Sequence, residues 1–180
     1  MIYRPQINEY PSGTYIANYI ERADGQEAIN QLILQSAMIK NIFQNLSESG
    51  SFYRYEPEKW SLKEVLGHMS DTERILQYRI LSIARGEKQA LLPFDENDFV
   101  KNAKFDTSSI ELLLKNYLIV RDSSISLLKS MDEEALDRIG ILNKLSASTR
   151  AVCWFLVGHE HHHIKVLEKK YGIKINNTAI

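Results

Sequence analysis

Hydrophobic residues recur at helical spacing in four long stretches of the chain, and strand-like alternation is scarce. Between Asp24 and Leu46 the positions Ile29, Leu32, Ile33, Ile39, Ile42 and Phe43 fall near one stripe, which predicts an amphipathic helix. A shorter helix over about Ser12 to Arg22 precedes it, and Ser47 to Lys59 reads as a loop. The second long helix has the clearest start, because Ser61-Leu62-Lys63-Glu64 is a capping box. It should run to Arg85 and stop at Gly86, a residue suited to a left-handed helix end. A long connection from Glu87 to Asp106 follows, carrying Pro93 and the acidic run Asp95-Glu96-Asn97-Asp98.

The third helix spans about Thr107 to Ser130, with Ile110, Leu113, Leu114, Tyr117, Ile125 and Leu128 on one stripe. Asp132-Glu133-Glu134 opens a further turn, and Ile139 to Ala147 reads as a short hairpin or an irregular connection. The fourth helix starts near Ser148 and ends before Gly172. Four such helices without a convincing sheet predict an all-α fold, a four-helix bundle with an extra short N-terminal helix. The length of the Glu87–Asp106 connection argues against a simple up-down-up-down path.

The 180 residues fit one domain over 1–180, with a core at about 24–171. Lys plus Arg number 22 against 23 for Asp plus Glu, with no long basic block, so no nucleic-acid partner is expected. The start of the chain lacks the charged and apolar segments of a signal peptide, and no apolar run is long enough to span a membrane. A single cysteine, Cys153, allows no internal disulfide, which makes a reducing cytoplasm the default location. Cys153 itself reads as a small packed residue.

The candidate chemistry lies in the histidines. Four of the five, His159, His161, His162 and His163, fall in one stretch of the fourth helix, and the fifth is His68. At about 100° per residue, His159 and His163 lie about 40° apart. They share a face with Val152, Phe155, Leu156 and Val166, so both point inward. His161 falls opposite, beside Trp154 and Lys165, and should be solvated; His162 sits at the edge as a reserve ligand. His68 shares the inward face of the second helix with Val65, Thr72, Ile75 and Arg79. A bundle can bring it opposite the pair, giving a three-nitrogen site suited to Zn, Ni, Cu or Fe with positions left open. The plainer alternative is a set of hydrogen-bonded core histidines.

His159-Glu160-His161-His162-His163 also satisfies the zinc-protease pattern H-E-x-x-H, which would make Glu160 a general base. Only 17 residues follow His163, and they contain no third histidine and only Glu168 as a carboxylate, which argues against a protease. Glu160 then reads as a rim residue near the metal or as a solvated helix charge. Asp71 and Glu64 flank His68 at helical spacing, as candidates to orient an imidazole or accept a proton. Arg79 and Arg121 lie on otherwise apolar faces. They are candidates for binding an anionic substrate, or for pinning the long connection through Asp95-Glu96-Asn97-Asp98.

The stretch Trp60-Ser61-Leu62-Lys63-Glu64-Val65-Leu66-Gly67-His68, with Asp71-Thr72-Glu73-Arg74 and Arg79, resembles the DinB/YfiT-like superfamily. Gly86-Glu87, Phe94-Asp95-Glu96 and the closing Gly158-His159-Glu160-His161-His162-His163 extend the resemblance over about Tyr53 to Tyr171. It implies an up-down-down-up bundle, often a homodimer, whose three histidine ligands fall on His68, His159 and His163. It also implies a metal-dependent hydrolase, or a transferase or isomerase using a low-molecular-weight thiol such as bacillithiol or mycothiol. Zn or Ni is the metal expected first, then Fe, with a small molecule as substrate. A non-catalytic metal-binding or stress-related binding module is the alternative. Exposed aromatics such as Tyr3, Tyr10, Tyr15 and Tyr19 would either supply a dimer interface or cover the N-terminal helix.

Overall fold

The computed structural model describes residues 1–175; residues 176–180, the end of the expected domain, lie outside the described residues. Its helices are α1 (Tyr15–Arg22), α2 (Ala28–Gln44), α3 (Leu62–Ala84), α4 (Glu96–Ala103), α5 (Ile110–Lys129), α6 (Glu133–Asp137) and α7 (Thr149–Lys169). One antiparallel hairpin, β1 (Ile139–Leu142) and β2 (Leu145–Ser148), joins α6 to α7. Asn143 and Lys144, both at positive φ, form its two-residue turn, which settles the Ile139–Ala147 stretch as a hairpin. The four-helix bundle is α2, α3, α5 and α7: α2 and α3 each pack against both α5 and α7. No helix among the described residues is long and apolar enough to cross a membrane.

Side-chain caps set the helix starts. Ser61 accepts from the Glu64 amide while Glu64 accepts from the Ser61 amide at 2.8 Å, so the capping box forms. At the other end of α3 the Glu87 amide reaches the Ser82 carbonyl and the Gly86 amide that of Ile83, with Gly86 at φ 88°. Helix α2 begins at Ala28, later than the expected Asp24, because Gly25 turns the chain at φ 78° and Glu27 caps the Asn30 amide. Ser109 caps α5, so the third long helix also starts later than Thr107.

The Glu87–Asp106 connection differs from expectation. Its acidic run starts a helix: Asp95 accepts from the amides of Asn97 and Asp98, and Glu96 and Asp98 sit in the first turn of α4, where the helix dipole favours negative charge.

These acids therefore do not pair with Arg121. That guanidinium is fully buried at the centre of the bundle, 2.8 Å from Glu73 of α3 and 2.7 Å from Glu160 of α7. It also donates to the Leu32 carbonyl of α2 at 2.8 Å, and the Tyr117 hydroxyl of α5 donates to Glu160. One arginine thus ties all four bundle helices together. A buried guanidinium has five donors to satisfy, and two carboxylates and a carbonyl take most of them.

This corrects three readings. Arg121 is spent on Glu73, Glu160 and the Leu32 carbonyl inside the bundle and does not pin the long connection. Glu160 is neither at a rim nor solvated, since it is 1% exposed and committed to Arg121 and Tyr117. The face of α7 that carries Trp154 and His161 is covered as well, because α1 packs along α7. Trp154 is fully buried and donates to the Tyr3 carbonyl, and His161, expected in solvent, is half-buried beside Asp24 at 3.3 Å.

Candidate metal centre

His68 reaches inward from α3 and meets His159 and His163, which project one turn apart from α7. The Nε2 atoms of His68 and His159 are 3.2 Å apart, and one nitrogen from each of the three rings lies within 4.8 Å of the others. All three residues are buried. Burial, followed by the neighbouring His162, lowers the His68 pKa to about 4; burial, followed by the other histidines, holds those of His159 and His163 well below the ordinary value. At neutral pH the rings are therefore uncharged, and each keeps a lone pair.

Two neutral nitrogens at 3.2 Å can share only one proton, and His163 Nδ1 is buried without a hydrogen-bond partner. Buried nitrogens left in this state are costly. A cation at their convergence satisfies several at once, and a neutral three-imidazole set suits a borderline transition metal. The donor set fits a divalent ion.

Two glycines bring the surrounding walls close. A Cβ at Gly67 would overlap the Phe105 ring, and one at Gly158 would overlap the Tyr19 carbonyl. Each glycine precedes a histidine of the cluster, so both helices are approached tightly just where they present an imidazole. Through the second contact the Tyr19 ring stands 5.6 Å from His159 and 5.5 Å from His162, while Trp60 stands 4.6 Å from His68.

A cavity of about 480 Å³ opens onto the cluster. Its walls are largely aromatic, from Tyr15, Tyr19, Trp60, Phe94 and Phe155, with Thr72, Arg79, Glu96 and His162 as polar points. Arg79 is buried, lies 5.9 Å from the Phe94 ring and donates to the Leu92 carbonyl at 2.6 Å; among the described residues it pairs with none of Asp95, Glu96 and Asp98.

Of the residues singled out in the sequence, the structure brings His68, His159, His163, His162 and Arg79 to this cavity. Asp71 is turned toward Arg74 at 3.1 Å, and Glu64 is occupied by its cap and by Arg54 at 2.5 Å, so neither reaches the imidazoles. Cys153 is buried, and burial pushes its thiol up to about 12. Tyr15 and Tyr19 stand among the cavity walls. Sequence reasoning missed Trp60, Thr72 and Phe94 as cavity residues. Thr72 stands one turn from His68 and was legible from spacing; Phe94 comes from the long connection and carries no such signal.

The sequence profile of the DinB superfamily matches residues 31–167. Among curated protein sequences, none matches significantly. Among solved structures, the chain is similar to YfiT from Bacillus subtilis, described as a "probable metal-dependent hydrolase with an unusual four-helix bundle topology". That match has a TM-score of 0.71 at 19% identity and covers 96% of this chain and 95% of YfiT. It is also similar to a DinB-like protein, YjoA, from Bacillus subtilis, with a TM-score of 0.57 and 18% identity over 82% and 93% of the two chains. A mycothiol-dependent maleylpyruvate isomerase aligns with a TM-score of 0.63 at 11% identity, over 76% of this chain but 58% of the isomerase. At such identities these likenesses carry the fold alone. The family match spans most of the chain: it belongs to the DinB superfamily.

Proposed function

We propose that this DinB-superfamily protein is a metal-dependent enzyme in which His68, His159 and His163 hold one divalent transition ion, with Zn or Ni the first candidates. The observation that carries this reading is the convergence of three buried, neutral imidazoles at an accessible aromatic cavity. Bound there, the ion would supply Lewis acidity, favouring the deprotonated form of a thiol or water admitted to the cavity. The protein's own residues do the rest. Tyr19 and Trp60 flank the imidazoles and exclude bulk water, and His162 offers a neutral ring at the wall as a proton acceptor. The reaction class is thiol S-transfer or hydrolysis of a small molecule. The hydrolase and mycothiol-dependent relatives named above make both chemistries reasonable for the fold.

Elemental analysis of the purified protein beside His68→Ala and His159→Ala tests the site; full metal retention in both variants refutes it. A panel of thiols against chlorodinitrobenzene or monobromobimane, run beside ester and amide substrates, separates transfer from hydrolysis. No metal-dependent turnover in either set would leave a non-catalytic metal-binding module.

We also propose an up-down-down-up helix order. It is supported by contacts that advance together along α3 and α5 (Lys63 with Ser108, Arg74 with Asn116, Gln77 with Ser123) and in opposite senses along α3 and α7 (Trp60 with Tyr171, His68 with His159). A homodimer is proposed on the family resemblance, and a clean monomer in sedimentation at micromolar concentration would refute it.

A further inference from the structure

Two polar groups of the cavity keep hydrogen-bonding capacity that the fold does not use. Thr72 Oγ1 is buried and has no hydrogen-bond partner. It lies on α3 one turn beyond His68 and lines the cavity. Arg79, two turns further along the same face, is 4% exposed. It is the one arginine or lysine that lines the cavity among the described residues, and its guanidinium forms no ion pair there. Its hydrogen bond among the described residues is to the Leu92 carbonyl, through Nη2, which leaves the Nε and Nη1 side without an acceptor.

The Thr72 hydroxyl has lost its water without a replacement, and the Arg79 guanidinium is partly desolvated, which lowers its pKa, while its unpaired nitrogens stay within reach of solvent or of a ligand. Arg121 shows the contrast, since the same residue type buried in the same bundle is matched by two carboxylates. Thr72 and Arg79 stand two turns apart on the cavity face of α3, with the Arg79 guanidinium beside Leu92 and Phe94. The donors are thus arrayed along one wall of the cavity, with aromatic rings facing them.

We propose that Thr72 and Arg79 form an anion subsite, and that the substrate is a small carboxylic acid with an apolar, preferably aromatic, body. The single guanidinium matches one negative charge, and its planar fork suits a carboxylate. The apolar body stacks among Tyr15, Tyr19, Phe94 and Phe155. Glu96 also lines the cavity and is exposed, so its charge opposes an anion at the mouth and favours one seated deeper, on Arg79. The proposal deepens the enzyme reading and rests on this cavity being its substrate site, but it does not require the metal.

The test is calorimetric titration of the full chain, metal-loaded and chelator-treated, with 4-phenylbutyrate and with its uncharged amide, 4-phenylbutyramide. The acid should bind at least about tenfold more tightly than the amide in both metal states. Arg79→Met and Arg79→Gln should each erase that preference, and Thr72→Val should weaken the acid several-fold. Equal affinity for acid and amide, no binding of the acid at millimolar concentration, or a preference that survives loss of Arg79 would overturn the subsite. A preference seen only in the metal-loaded protein would place the anion on the metal and would likewise overturn it. The acid–amide comparison on the unaltered chain decides the question even if neither Arg79 variant folds. Failure of the metal reading is separate: the protein would retain no metal while the acid preference persisted.

Discussion

Replacing Arg121 with Met should be the most damaging single change in the bundle. The side chain is fully buried, and its loss strands Glu73 and Glu160 without a counter-charge and the Leu32 carbonyl without a donor. Breaking a buried pair by removing one partner costs about 3–5 kcal/mol, a large part of the roughly 5–15 kcal/mol that stabilises a domain. For a chain of this size that is about 10 °C or more in Tm. The loss should also depend on pH. Burial already lifts the Glu160 carboxyl above its ordinary value against the pull of Arg121, and removing Arg121 leaves burial and Glu73 opposed only by the Tyr117 hydrogen bond. A carboxyl whose folded pKa lies above its unfolded value binds more protons when folded, so its folded state gains stability as pH falls. Urea melts of wild type and Arg121→Met at pH 5 and pH 7.5 measure both effects. Arg121→Met should lose less at pH 5, and adding Glu160→Gln should recover part of the loss at pH 7.5. A loss under about 1 kcal/mol, or one equal at both pH values, would show that the buried charge network does not hold the bundle together.

Chelation should lower Tm by several degrees, because an ion at about a hundred times its Kd adds about 2.7 kcal/mol, and His68→Ala should abolish the metal-dependent part. Cys153 should resist dithionitrobenzoate in the native protein, since a thiol pushed up to about 12 is ionised to only about one part in ten thousand near pH 8; rapid native labelling would refute its burial. Gly67→Ala should cost about 1–3 kcal/mol by displacing the Phe105 ring, read as a lower urea midpoint at unchanged slope. Gly158→Ala should disturb α1 instead, weakening ligand binding in the cavity by moving Tyr19, and unchanged binding would exclude that contact as a wall support.

The histidine cluster was legible because its signal is local. His159 and His163 stand one turn apart on a helix whose face is set by its apolar neighbours, and His68 lies on the inward face of a helix whose start is fixed by Ser61 and Glu64. Charges were harder. Helical spacing put Arg121 on an apolar face but did not name its partners, because Glu73 and Glu160 lie 48 and 39 residues away along the chain. The acidic run offered a nearer match, yet Asp95 caps α4 and Glu96 and Asp98 lie in its first turn. His161 and Trp154 were misplaced for a related reason. An isolated α7 has one apolar face, but the N-terminal segment and α1 cover a second, and only the tight contact at Gly158 hints at that.

The Arg121 network and the histidine cluster join the same two helices. On α3, Glu73 follows His68 by five residues; on α7, Glu160 follows His159 directly. Each helix therefore turns one side chain into the charge network and another, about 100° round or further, into the cavity. The spacing of α3 and α7 is thus fixed by Arg121 whether or not an ion is present. A site held this way should be preorganised, so that binding a metal does not have to draw the helices together. It follows that metal affinity should fall when Glu73→Gln loosens the network, although Glu73 touches none of the imidazoles. Competition of the folded variant against a chromogenic chelator reads this directly. A variant that melts earlier yet binds metal as tightly as wild type would show that the imidazoles find their places without the arginine.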